Sequence, residues 1–218
     1  MMKTQSKIDA IRAYQLSDYI WDKEKKYYIY PNGKKVPEGH LFGAIRRFQA
    51  KLNDDLQSVT TAMLSGDIDL AGWQKRISSR VRNAHFELMR FGMGPGNSRA
   101  WHEAKIEKRL RSIDYPALQR FAEDLQSGKL SEKQIRSRIE LYAMATKSSY
   151  EMGRIEIKKT TGQRFGRRLL GRTDIHCEDC IEYALRGWQR IEDIILPGVD
   201  CQCGSRCLCS IETSDRIP

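Results

Sequence analysis

All six cysteines of this 218-residue chain fall after position 176: Cys177 and Cys180 in "HCEDC", then Cys201, Cys203, Cys207 and Cys209 in "CQCGSRCLC". A Cys-x-x-Cys spacing lets two thiolates reach one tetrahedral Zn²⁺ from a tight knuckle, and a second cluster tens of residues later supplies the remaining ligands. Cys177 and Cys180 form such a knuckle, and the closing pair is drawn from Cys203, Cys207 and Cys209, which leaves Cys201 as the spare. The expected cofactor is therefore a structural zinc held by four of these thiolates. Two other readings stay open at this point. Six cysteines allow fifteen disulfide pairings, but disulfides need an oxidising compartment, and Cys201 and Cys203 are too close in sequence to pair with each other comfortably. The third reading is a set of reduced, buried cysteines. His176, adjacent to Cys177, reads as a surface or supporting residue, because neighbours in sequence seldom share one metal.

Other chemistries lack their signatures. "WHEAKIE" at 101–107 has His-Glu but no second histidine four positions on, so it is not a metalloprotease helix, and His102 is expected on an exposed helix face. "TGQRFGRR" has glycines and arginines without the lysine of a phosphate-binding loop. The cysteines are too crowded to mark one activated nucleophile, and the His-x-Glu that precedes Pro-Cys-x-x-Cys in zinc deaminases is missing. His40 and His85 stand alone, as core or surface residues. The expectation is a protein that is not an enzyme.

The elements that must position the cysteines are mostly helical. Residues about 5–22 carry Ile8, Ile11, Tyr14 and Tyr19 at helical spacing, and "KKYYIYPNGKKVPEG" reads as a β-hairpin turning at Gly33. Leu41, Ile45, Phe48, Leu52, Leu56, Val59 and Met63 mark a long helix that breaks at Ser65-Gly66-Asp67. Trp73, Ile77, Val81, Ala84 and Leu88 mark a second, stopped by "GMGPGNS". Two shorter helices follow, the second with Pro116 in its first turn. A last long helix, Ser131 to Lys159, opens on a Ser131–Gln134 capping box and carries Ile135, Ile139, Tyr142, Thr146 and Tyr150 on one face. The blocks starting at Leu56 and Leu118 align without gaps at an offset of 62, as a repeated helical hairpin or as two hairpins written alike. After Thr160 the composition shifts, with a short strand expected at Phe165–Leu170. The fold class is mainly α: a multi-helix body at 1–160 with a short N-terminal β-hairpin, then a small cysteine-rich, zinc-binding-like module at 161–218.

The net charge is +10, unevenly placed. From residue 171 onward five arginines face nine acidic residues, a net −4, which leaves +14 on the first 170 residues. A basic body suits nucleic acid or an acidic protein surface, although acids and bases are interspersed as on any solvated surface. No apolar run approaches membrane-spanning length, and the polar N-terminus lacks the apolar centre of a signal peptide. The expectation is a chain made in the cytoplasm with no membrane partner.

The segment "HCEDCIEYALRGWQRIEDIILPGVDCQCGSRCLCSIE" resembles the C-terminal end of phage head-morphogenesis proteins, the minor head proteins related to the F protein of phage Mu. The family's pattern is matched by the Cys177–Cys180 knuckle, a short helix, Gly187-Trp188, Pro197-Gly198 and the closing Cys207–Cys209, with Cys203 as in related subtypes and Cys201 an addition. "YYIYPNGKKVPEGHLFGAIRRF", "LSGDIDLAGWQKRI" and "SGKLSEKQIRSRIELYA" are similar, more loosely, to segments of the same group. The Pro-His-Pro that closes many members is missing, as in a divergent branch. The resemblance implies a virion component of the head near the portal vertex, present in few copies. Its partners would be the portal protein and the major capsid protein, with non-specific contact to double-stranded DNA. A zinc module would then staple a tail of about 45 residues that cannot build a sufficient core alone, with Trp188, Pro197 and Gly198 serving its packing and turn. Two alternatives belong to other classes: a zinc-dependent DNA-binding regulator, which the acidic tail disfavours, and a head–tail connector of the neck.

Overall fold

The computed structural model describes residues 16–217, the side chain of Ser17 excepted. It is mainly helical, with an N-terminal antiparallel hairpin and a cysteine cluster in its C-terminal region.

The expected first helix lies largely outside the described residues, and its last part is not helical. Leu16–Asp18 is a single 3₁₀ turn and Ile20–Asp22 is a strand, β1. The Asp22 carboxylate accepts from the backbone N–H groups of Glu24 and Lys25, which turns the chain back at once. So the strand β2 (Tyr27–Ile29) pairs with β1, Trp21 opposite Tyr28. The turn at Gly33 forms as read, with φ +78 and its N–H on Tyr30 O. The return past it contributes only a bridge, Ile29 to Lys35.

Helix α1 spans Glu38–Leu64 and α2 Leu70–Met93. α3 (Ala100–Arg109) runs through a π-helical turn, Leu110–Asp114, into α4 (Tyr115–Gln126). Pro116 lacks an N–H and its ring crowds the preceding turn, so the ladder widens there instead of breaking. α5 (Glu132–Ala145) opens on the expected capping box, with the Ser131 side chain accepting from Gln134 N.

The last long helix is two helices, because the chain breaks at Thr146 before α6 (Lys147–Thr160). The hydroxyls of Thr146 and Ser148 bond back to the carbonyls of Ala143 and Ala145, competing with the helical ladder. Gln49 Nε2, reaching across from α1, donates to the carbonyls of Ala143 (3.2 Å) and Met144 (2.9 Å) at the end of α5. The apolar face nevertheless continues through the break: Ile135, Ile139, Tyr142, Thr146 and Tyr150 are all buried.

The two aligned blocks fold alike. Leu56 and Leu118, Val59 and Phe121, Trp73 and Ile135, Ile77 and Ile139 are matched pairs at the offset of 62, and all eight lie in one hydrophobic core. Gly66 and Gly128 both take positive φ at the bend, and Asp69 and Ser131 each cap the following helix with a side-chain oxygen. A second core joins Tyr19, Tyr28, Val36, Ile45, Leu88, Phe91 and Tyr150, seating the hairpin on α1, α2 and α6.

The C-terminal region holds an antiparallel sheet in the order β4 (Gln189–Arg190), β3 (Phe165–Leu169), β5 (Ser210–Ser214), with helix α7 (Glu178–Leu185) beside it. Its small core is Ile191 and Ile211 packed on Ile155, a residue of α6. The body thus supplies a wall of this region. Arg154 does the same electrostatically: buried, it pairs with Glu151 and Glu38 and donates to the carbonyl of Ile211 on β5.

Candidate metal centre

The knuckle forms where the chain leaves β3. Cys177 occupies the N-cap position of α7 in extended backbone, so Cys180 falls in the first helical turn and points inward, wholly buried. The Asp179 carboxylate on that turn accepts from Gln202 N at 2.7 Å, which pins the second cysteine segment against the first. Beyond it, Gly204–Arg206 makes a 3₁₀ turn, and Cys207 and Cys209 lead into β5. Gly198, at φ +78, lies so close to Gly204 O that a Cβ would crowd it at 3.1 Å. Pro197 is buried, and Trp188 carries the Arg167 guanidinium on its ring at 4.9 Å.

All six thiols are free and converge. The sulfurs of Cys177, Cys180, Cys201 and Cys203 lie within 4.8 Å of one another, and those of Cys180, Cys207 and Cys209 form a second such group. Cys180 Sγ is 4.0 Å from Cys203 Sγ and 3.6 Å from Cys207 Sγ. Four thiolates around a tetrahedral ion at the usual metal–sulfur distance stand about 3.8 Å apart, whereas a disulfide brings its sulfurs to about 2.0 Å. The spacing is that of a coordination shell, and the cluster can hold a metal ion.

The five expected ligands are therefore brought together, and Cys201, read as the spare, stands in the four-sulfur group with Cys177, Cys180 and Cys203. Cys207 and Cys209 instead group with Cys180 alone. Spacing alone cannot assign Cys-x-Cys pairs to one side or the other, since that depends on the 3₁₀ turn between them. His176 is in neither group.

Two cations support the cluster. Arg168 is buried on the inward face of β3; its Nη1 lies 3.6 Å from Cys180 Sγ and 3.9 Å from Cys207 Sγ, and Nη2 donates to Ile195 O. Lys147, at the start of α6, donates to the carbonyls of Cys207 (3.1 Å) and Cys209 (2.8 Å). Neither was found from sequence; the available signal was the alternation in "FGRRL", which turns Gly166 and Arg168 to the same side. The thiol protons are unevenly held without metal. A hydrogen bond from Cys207 pulls Cys209 down to about 4 while Cys207 itself is pushed up. Burial raises Cys180.

No protein-family model, no curated protein and no solved structure matches the chain.

The histidines fall differently from expectation in one case. His102 is buried rather than exposed: its Nδ1 accepts from Arg99 N at 3.0 Å and Trp101 stacks on its ring. His85, also buried, has Nδ1 2.7 Å from Ser149 Oγ and Nε2 4.0 Å from Asp114. Ser149, His85 and Asp114 do not make a working triad, because Ser149 and His85 are both entirely enclosed and the histidine–carboxylate pair is beyond hydrogen-bond reach. Among the described residues, no helix is long and apolar enough to cross a membrane.

Proposed function

We propose that this chain is a structural minor head protein of a tailed phage or prophage, with a zinc-stapled C-terminal module. The observation that carries the reading is the convergence of the two cysteine motifs, Cys177–Cys180 and Cys207–Cys209, through Cys180 into one partly buried thiol cluster docked on a basic helical body. Those are the motifs on which the family resemblance rests. Zinc suits the site because an all-thiolate, tetrahedrally spaced set is its preferred structural shell. The module's own core is small, so metal binding supplies the stability that ordering its loops requires.

In this reading the body contacts the portal protein and the inner face of the major capsid protein, and its positive charge tolerates packaged DNA. Much of that charge is already paired on the surface, as in Arg80–Asp55, Arg82–Glu107 and Arg90–Glu103. Any contact with duplex DNA is then weak, salt-sensitive and indifferent to sequence. The deciding experiment is quantitative mass spectrometry of gradient-purified phage heads from a strain encoding the chain. A few copies per particle support the reading, and a full ring's worth would make it a neck component. Absence from particles, together with sequence-selective duplex binding, would make it a regulator.

A further inference from the structure

We infer that the cysteine cluster is a two-ion centre in which Cys180 is a shared ligand, with Cys177, Cys201 and Cys203 completing one ion's shell and Cys207 and Cys209 binding the other. This rests on the reading above that the cluster holds metal.

The sulfurs fall into two sets, each within 4.8 Å internally, that have only Cys180 in common. One ion cannot gather all six. The first set is a complete tetrahedral complement and leaves Cys207 and Cys209 over, yet these are among the most buried cysteines, at 3% and 1% exposure. Cys180 stands at coordination-edge distance from both sides, 4.0 Å to Cys203 and 3.6 Å to Cys207, which is where a bridging thiolate belongs.

Arg168 is the second, independent observation. Its guanidinium is 3% exposed and, among the described residues, has no carboxylate partner; the acceptors at its Nη1 are the sulfurs of Cys180 and Cys207. A buried cation requires a buried anion. Ligation of the first ion makes Cys180 a thiolate facing the arginine, and a second ion places another at Cys207, the other sulfur its Nη1 meets. Lys147 adds a second cation, on the carbonyls of Cys207 and Cys209 and not on those of the first set. Each thiol that ligates releases its proton, so loading both ions from the fully protonated cluster releases six. The second ion's remaining position takes one further donor.

The test uses the full chain, purified under reducing conditions and loaded with zinc alone. Native mass spectrometry should find two ions per chain, with all six thiols slow to alkylate. Loading with ¹¹³Cd should give two metal resonances that both correlate with the β-protons of Cys180. Cys209→Ser should lower the count from two ions to one. One ion per chain with Cys207 and Cys209 freely alkylated would overturn the two-ion centre and leave the single zinc staple intact. Two ions without a shared Cys180 would overturn the bridge, and no bound ion would overturn both this inference and the staple.

Discussion

Gly92 of α2 and Gly153 of α6 stand where the two helices pack backbone to backbone, each facing a main-chain carbonyl of the other helix. A Cβ on Gly92 would fall on the Tyr150 carbonyl, and one on Gly153 on the Met89 carbonyl, with the amides of Arg154 and Met93 next in line. This contact sets how near α6, and with it the start of the C-terminal module, can approach the body.

Gly92→Ala and Gly153→Ala should therefore each destabilise the chain, by about 1–3 kcal/mol from overpacking even after the helix gains an alanine. Gly39→Ala, in the first turn of α1 with open space around it, should be neutral or slightly stabilising. Chemical denaturation of the three variants measures this, and equal effects at Gly39 and Gly153 would contradict it.

Arg154→Leu should cost about 3–5 kcal/mol, because Glu151 is left as an uncompensated charge with no exposure. The double variant Arg154→Leu/Glu151→Leu should recover much of that loss. A denaturation cycle over the four proteins gives the coupling directly. Little recovery would mean that Arg154 acts mainly through its bond to Ile211 O.

Lys147→Met should weaken metal retention without touching a sulfur. It removes two charge-assisted bonds to the carbonyls of Cys207 and Cys209, each worth roughly 1.5–3 kcal/mol. Competition with a chromophoric chelator should show faster release than from the parent chain. Complete chelation of either protein should expose the shielded thiols and lower the thermal midpoint, by roughly 2–4 °C for each kcal/mol lost.

His85 makes stability depend on pH. Burial, with the nearby Arg109 charge, holds its imidazole down to about 3, against an ordinary 6.5. Between those values the unfolded chain binds a proton that the folded chain refuses. The contribution is therefore complete above pH 6.5 and is lost as pH falls through the window, by up to about 1.4 kcal/mol per pH unit. Asp114, raised by burial against the pull of Arg109, works in the opposite direction as acid is added. His85→Gln should flatten the acid limb of a stability-versus-pH curve, and an unchanged slope would sink the assignment.

Much of the helical architecture was legible because it is locally encoded. Ser65-Gly66 and Ser127-Gly128 end helices by their own chemistry, and Ser131–Gln134 caps one reciprocally. The break at Thr146 was not, since the buried face runs through it unchanged and the carbonyls near it are met by Gln49, remote in sequence. β1 was missed for a related reason: aromatic residues at helical spacing also suit a short strand, and the Asp22 turn decided between them. At the candidate metal centre the residue type and the knuckle were readable. The allegiance of Cys201 and the role of Arg168 were not, because both depend on how β3 lies against the second cysteine segment.

The position of the two larger cores has a consequence for how the chain is made. Every residue in them precedes Ile155, while the first cysteine is Cys177. As synthesis proceeds from the N-terminus, the helical body can close before any ligand has left the ribosome. What waits is Ile155 without Ile191 and Ile211, and Arg154 without the Ile211 carbonyl. In the zinc-stapled reading, metal capture is the last event of assembly, and a nascent chain starved of metal is left with its body built and one small apolar socket open.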